Sequence, residues 1–389
     1  MPPMTQTVGW LLAAAPVVMA LYAYIAYPGI LWLMAPSRER VGGGTPSEFP
    51  LVTMVIPAYN EESQIRGAVE ALLAQDYPAD RRQILVVSDG STDRTDAIVR
   101  EYEPRGVELV RLPTRSGKTA AENAARERIR GTIVVNTDAS TRLHPEAVRS
   151  LVAHMADPTV GVASSRDVSV APGEATANTT EAGYVGYEMW IRSLETRTGG
   201  IVGASGSGYA IRADLHRLPV RADLSRDFSA ALNARTHGYR AVSVDEAVCF
   251  VPRTSSLRTE YRRKVRTIRR GMETLRVQRH LLNPLRYGAF AWKLWSHKLC
   301  RWLLPALLIP GGAGLTILAC YHNWARILLG LALLGASVAI IGATWPRKQA
   351  LPRVVSLITF AAAANLAVVH AMWRVMRGGE DRVWEPTRR

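Results

Sequence analysis

From Val8 to Pro36 the chain runs without a single charge (VGWLLAAAPVVMALYAYIAYPGILWLMAP), and the first charged side chain is Arg38. About 20 consecutive apolar residues cross a bilayer as a helix. A secretory signal peptide would carry Lys or Arg ahead of the apolar run and a small-residue cleavage site after it. Neither is evident, so a retained transmembrane helix is expected within residues 1–40. Arg38 and Arg40 favour the cytoplasm for the segment that follows. Three further apolar runs come at the other end, Trp302–Tyr321, Ala325–Trp345 and Val354–Met376, predicting about three spans over 302–376 and a basic tail over 377–389. The loop Pro346–Arg353 is basic and reads as cytoplasmic, whereas Tyr321–Trp324 holds no Lys or Arg and suits the outside. Four crossings place both ends outside, while Arg377, Arg382, Arg388 and Arg389 favour the inside. A re-entrant or interfacial segment would reconcile the two.

Residues 41–280 follow another rhythm. Short apolar, β-branched runs, Leu51–Ile56, Gln83–Val87, Val107–Leu112 and Thr132–Val135, predict strands. Helical spacing between them predicts helices over Glu62–Ala74, Asp93–Tyr102 and Thr119–Arg130, the second capped by the Ser91-Thr92-Asp93 cluster. Such alternation implies an α/β fold with a mostly parallel sheet covered on both faces. Ligands of such sheets sit beyond the carboxyl ends of the strands. There this chain places Pro57-Ala58-Tyr59-Asn60-Glu61-Glu62, Ser88-Asp89-Gly90-Ser91, Arg115-Ser116-Gly117-Lys118 and Asn136-Thr137-Asp138-Ala139-Ser140. Carboxylates can hydrogen-bond a ribose or base, a lysine and helix amides can hold a diphosphate, and Asp138 can hold a divalent cation that bridges phosphates. The set fits a nucleotide diphosphate.

Composition narrows the class. The 389 residues are 48% hydrophobic and 21% charged, yet carry a net charge of +15. That apolar content excludes disorder. Three scattered cysteines, Cys249, Cys300 and Cys320, exclude a disulfide scaffold. The charge is concentrated: Arg253–Arg286 holds eleven Lys or Arg and two Glu, a net of +9. Few aromatics interleave with it and no nucleic-acid motif appears, so no nucleic-acid partner is expected. Leu281–Arg301 mixes Trp292 and Trp295 with Lys293, His297 and Lys298 and predicts an amphipathic helix over 281–301 lying in the membrane interface.

In this order and spacing, VIPAYNEE, VVSDGSTD, GKTAAEN and NTDAST resemble the family 2 glycosyltransferases with the GT-A fold. The likeness covers about Pro50 to Leu275, and the flanking spans extend it to membrane-bound synthases of the cellulose, hyaluronan and poly-N-acetylglucosamine type. The resemblance implies a cytoplasmic GT-A domain over 41–280 in a multi-pass protein of the cell membrane. It implies inverting transfer of a hexose or N-acetylhexosamine from a UDP-linked donor to a growing polysaccharide or oligosaccharide. Pro57, Ala58, Tyr59, Glu61 and Asp89 would cradle the uridine, with Glu61 on the ribose and Asp89 on the uracil. Lys118 would lie near the diphosphate. Asp138 and Ser140 occupy the Asp-x-Asp metal motif, expected to hold Mg²⁺ or Mn²⁺ although a serine replaces the second carboxylate. Gly206 and Ser207 would line the acceptor site, where Tyr187 and Trp190 could stack on sugars.

The segment SRDFSAALNARTHGYR resembles the family's paired-acid motif, whose second acid, the general base, maps onto Asp227. The first acid is replaced by Arg226. RRKVRTIRRG sits where the synthases carry Gln-x-x-Arg-Trp, offering Arg266, Arg269 and Arg270 to the departing diphosphate but no tryptophan. That departure leaves open a single transfer to a lipid-phosphate carrier. Ser140 and Arg226 leave open an inert scaffold. Asp89-Gly90 also suits a plain turn, and Asp227 a helix cap.

Overall fold

The computed structural model describes residues 4–36, 48–170, 179–252, 257–345 and 351–378. The tail after 378 and the loop 346–350, on which the charge arguments rested, lie outside the described residues. The chain forms two compact units. One comprises Met34–Thr254 and Arg270–Leu281, with the tail; the other comprises Met1–Leu33, Ser255–Arg269 and Leu282–Gly378.

Among the described residues the first unit is built on an eight-stranded sheet. Its strands are β1 (Val52–Ala58), β2 (Arg82–Ser88), β3 (Val107–Arg111), β4 (Ile133–Thr137), β5 (Arg142–Leu143), β6 (Val160–Val170), β7 (Gly208–Arg212) and β8 (Arg240–Pro252). Their order is β3-β2-β1-β4-β7-β6-β8-β5. The four strands read from the sequence pair in parallel, β1 at the centre between β2 and β4. β1 is buried along its whole length because both faces are covered. Met54 and Ile56 join one apolar cluster, with Ile65, Val69 and Leu151; Val55 joins the opposite one, with Ala121 and Ala231. β7 runs antiparallel between β4 and β6, an inversion that no pattern in the sequence marks.

All three predicted helices are shorter than their periodicity suggests, the one expected over Glu62–Ala74 spanning Ile65–Leu73. The helix expected over Asp93–Tyr102 spans Thr95–Arg100, because Asp93 accepts hydrogen bonds from Thr95 N (2.9 Å) and Glu62 N (3.1 Å) ahead of it. The helix expected over Thr119–Arg130 spans Lys118–Ala124 and ends in one 3₁₀ turn. Beyond it Gly131 N donates to Thr53 Oγ1 at 2.9 Å, tying the chain back to the sheet.

Among the described residues, the second unit contains four helices long and apolar enough to cross a membrane: Met4–Met34, Ala289–Ala319, Asn323–Thr344 and Arg353–Arg377. Small residues let two of them approach closely. A Cβ on Gly314 would lie 2.6 Å from Ala13 N and 2.7 Å from Gly9 O, and one on Gly311 would meet Pro16. The expected interfacial helix over 281–301 is not a separate element. Its second half continues without a break into the span beginning at Ala289, and Lys293 and His297 are buried, not turned to headgroups. The amphipathic element is instead Leu257–Val277, whose Val265 packs on Ala367 and Ala371 while Tyr261 hydrogen-bonds His370 at 3.1 Å.

Candidate active site

The loops after β1, β2 and β3 are stitched together at the carboxyl edge of the sheet. Asn60, at φ 51°, is the one non-glycine in the left-handed region among the described residues, a conformation asparagine tolerates. It accepts from Thr92 N at 2.8 Å and donates its own N–H to Ser91 Oγ at 3.2 Å. Glu61 N donates to Thr95 Oγ1 at 2.8 Å, and the Glu61 side chain is buried. Pro57 and Ala58 are the buried last residues of β1. Beside them the Arg115 guanidinium stacks 3.9 Å over the Tyr59 ring.

Asp89 is 1% exposed and accepts from two successive backbone amides, Ser116 N to Oδ1 and Gly117 N to Oδ2, each at 2.7 Å. Its carboxylate therefore holds the β3 loop against the β2 loop. Gly90 permits the close approach: its φ is +68°, and a Cβ there would stand 3.1 Å from Arg115 N.

That loop delivers Lys118 to β4. Lys118 Nζ donates to Asp138 Oδ1 at 2.5 Å. Burial alone would lower the affinity of this amine for its proton, but Asp138, Glu122 and Asp227 outweigh it and raise the lysine above its ordinary value. Ser140 is half-buried one step further on. Opposite, Ser207 O accepts from Thr137 Oγ1 (2.8 Å) and Thr141 Oγ1 (3.2 Å), fixing the strip before β7 to the end of β4.

Asp227 lies in the first turn of the Arg226–Thr236 helix. Its Oδ1 accepts from Ser225 Oγ and from Phe228 N (2.9 Å). Oδ2 accepts no hydrogen bond from the described residues and faces Gly206, where an added Cβ would come within 2.7 Å. The fold thus joins a predicted base and a predicted acceptor residue far apart in sequence. Arg226 points the other way, donating to Asn123 Oδ1 and to His216 O, each at 2.5 Å. Gly206→Ala should displace this carboxylate and lower kcat while leaving nucleotide affinity within about twofold. Steady-state kinetics with a nucleotide-binding titration checks this, and an unchanged kcat would refute the placement.

The three predicted arginines lie on one helix, Leu257–Val277. Arg270 belongs to the sheet unit and donates to Thr119 Oγ1 (3.0 Å) and to the carbonyls of Ala222 (2.5 Å) and Leu224 (2.9 Å), bracing the turn that precedes Asp227. Arg266 and Arg269 belong to the unit that holds the long apolar helices. Trp190 is 46% exposed, its ring 5.9 Å from that of Tyr187 on the Thr179–Arg197 helix.

Three residues escaped the motif reading. Ser205 Oγ donates to Asp167 Oδ2 at 2.5 Å, and burial raises the Asp167 carboxyl. Glu122 is 2% exposed, and its Oε2 has no hydrogen-bond partner. Burial raises the Glu122 carboxyl, Lys118 and Arg226 oppose the rise, and Asp138 and Asp227 add to it. Its place one helical turn after Lys118 was the available signal.

Hard oxygen donors suit a divalent cation. Asp138 offers one carboxylate with Lys118 already on Oδ1, and Ser140 a hydroxyl. Among the described residues no group of three or more His, Cys, Asp or Glu is placed to hold an ion. The set fits Mg²⁺ or Mn²⁺ only together with phosphate oxygens.

A mostly parallel sheet with two inverted strands, β7 and β5, and an acidic and basic rim at its carboxyl edge, is the GT-A fold of nucleotide-sugar transferases. The mannosyltransferase PcManGT from Pyrobaculum calidifontis, solved with GDP-Man and Mn²⁺, shares it at a TM-score of 0.73 and 22% identity, over 96% of this chain and 99% of that one. Residues 53–214 match the glycosyl transferase family 2 model, so this part of the chain carries a domain of that family. The β-monoglucosyldiacylglycerol synthase of Synechocystis is 29% identical over 172 residues, covering 43% of this chain and 36% of that protein. An N-acetylglucosaminyltransferase of Mesorhizobium japonicum is 34% identical over 142 residues, covering 34% and 33%. The matched region spans about a third of the length of these relatives.

Proposed function

We propose that this protein is a multi-pass enzyme of the cell membrane, its GT-A domain cytoplasmic, that transfers a hexose or N-acetylhexosamine with inversion from a UDP-linked donor to a growing polysaccharide or oligosaccharide. The observation that carries the reading is the open Oδ2 edge of Asp227, facing Gly206 and near enough to Lys118 to raise its proton affinity. Asp227 takes the acceptor hydroxyl's proton as that oxygen attacks the anomeric carbon. The bond to the diphosphate breaks, and its electron pair leaves with the diphosphate. Lys118 offsets the charge that develops there. Asp138, with Ser140, would hold Mg²⁺ or Mn²⁺, whose chemistry is neutralisation of the diphosphate. The exposed Trp190 and its neighbour Tyr187 offer stacking faces for sugar.

Incubation of the purified protein with a panel of UDP-sugars and Mn²⁺ should release UDP with one of them. Release from none, with release from another nucleotide sugar, would reassign the donor. Metal and nucleotide should bind interdependently, because one carboxylate is too few. Calorimetric titration of Mn²⁺ without nucleotide should give weak binding, and tight binding would overturn the metal assignment. A second reading, one sugar transferred to a lipid-phosphate carrier, is favoured by the missing tryptophan in RRKVRTIRRG. A ladder of products supports polymer growth; a single lipid-linked sugar supports the carrier.

A further inference from the structure

We infer that Glu122 is a positioning residue, the second seat of the Lys118 ammonium: Lys118 pairs with Asp138 and moves to Glu122 when Asp138 turns to the cation and diphosphate of a bound donor. The inference rests on the donor-site reading above.

The need for a second seat follows from Asp138. Lys118 Nζ sits on its Oδ1 at 2.5 Å, and a cation held by Asp138 would have to compete with it. A divalent ion and an ammonium cannot share one carboxylate in a half-buried site without strong repulsion. If Lys118 stays, metal affinity suffers. If it leaves, it needs another anion, because an unpaired buried ammonium is costly.

Glu122 meets that need by position. Lys118 and Glu122 stand four residues apart on the Lys118–Ala124 helix, so their side chains leave the same face one turn apart. The lysine stem, with its several rotatable bonds, can swing between them. Glu122 is 2% exposed with Oε2 lacking a hydrogen-bond partner, an arrangement that burial makes unfavourable unless a charge visits it. The other cation within its field, Arg226, is fixed elsewhere by Asn123 and His216. That leaves Lys118 as the mobile partner. Glu122 and Arg226 thus add opposite charges beneath one rim, which accommodates a buried arginine where the family's motif has an acid.

The test measures Mn²⁺ binding by electron paramagnetic resonance on the full-length protein at saturating UDP. Glu122→Gln keeps the shape and removes the charge. It should weaken Mn²⁺ about tenfold, equivalent to ~1.4 kcal/mol, because Lys118 then stays on Asp138. In a Lys118→Met background the competitor is gone, and adding Glu122→Gln should change Mn²⁺ affinity by less than about twofold. Glu122→Leu, which fills the same space without a polar group, should repeat both results if the amide disturbs folding, as read by thermal unfolding. Unchanged Mn²⁺ affinity in Glu122→Gln would overturn the inference. So would equal weakening with and without Lys118, since Glu122 would then act through packing or its own field. Wild-type protein that binds no Mn²⁺ with UDP or with GDP marks failure of the donor-site reading instead, a result distinct from both.

Discussion

Asp227→Asn should lower kcat by about 10²- to 10⁴-fold, the usual contribution of a positioned base, while donor binding stays intact. The amide preserves volume and can still accept from Ser225 Oγ and Phe228 N through its oxygen, so the helix start is retained. What it loses is the basic edge at Oδ2 beside Gly206. A carboxamide cannot take the proton of an attacking hydroxyl. The check is single-turnover transfer alongside nucleotide titration. Retained turnover in Asp227→Asn would move the base elsewhere, and lost nucleotide binding would mean that the side chain holds the donor. Asp227 belongs to the first turn of its helix and keeps one oxygen for that role. The cap position itself is held by Ser225, so the cap expected at Asp227 falls two residues earlier.

Asp89→Ala should act on the fold of the rim before it acts on chemistry. It strands two amides, the half-buried Ser116 N and the buried Gly117 N, that now donate to a charged acceptor. Hydrogen bonds to charged groups contribute about 1.5–3 kcal/mol each, and an unpaired buried donor costs about 1–3 kcal/mol. A loss of roughly 3 kcal/mol or more is expected, together with release of the loop that carries Lys118. The thermal midpoint should fall and nucleotide affinity should drop together. Asp89→Asn should fall between the two, since its amide group keeps one acceptor but sets an N–H donor against one of the amide donors. If Asp89→Ala unfolds normally and loses only nucleotide binding, Asp89 serves the base of the donor and the loop stands without it. The turn reading and the ligand reading of Asp-Gly make opposite predictions here.

The strands β1 to β4 were legible because buried parallel strands leave short, nearly continuous apolar runs, as in LVTMVI and TIVV. Their carboxyl ends followed from the same pattern, so Glu61, Asp89, Lys118 and Asp138 could be placed at one edge. β7 was not legible. Its antiparallel direction depends on where the Thr179–Arg197 helix and the glycine-rich strip return the chain, and the residues of GYAIR suit either direction. The apolar run Trp302–Tyr321 marks only the later part of the helix Ala289–Ala319, for a related reason. Interleaved Trp, Lys and His carry the same composition whether they lie in an interface or are buried within a helix bundle, and only packing separates the two.

By itself the sequence determined the alternating α/β core, the apolar helices and the residues at the strand ends, because each follows from local periodicity and turn chemistry. Pairing was left to the tertiary structure: Asp227 with Gly206, Lys118 with Asp138, Arg226 with Asn123 and His216, and a buried Glu122 one turn from Lys118. The physical reason is that a carboxylate's role depends on which of its oxygens is satisfied and how deeply it is buried. Both are set by residues up to about a hundred positions away.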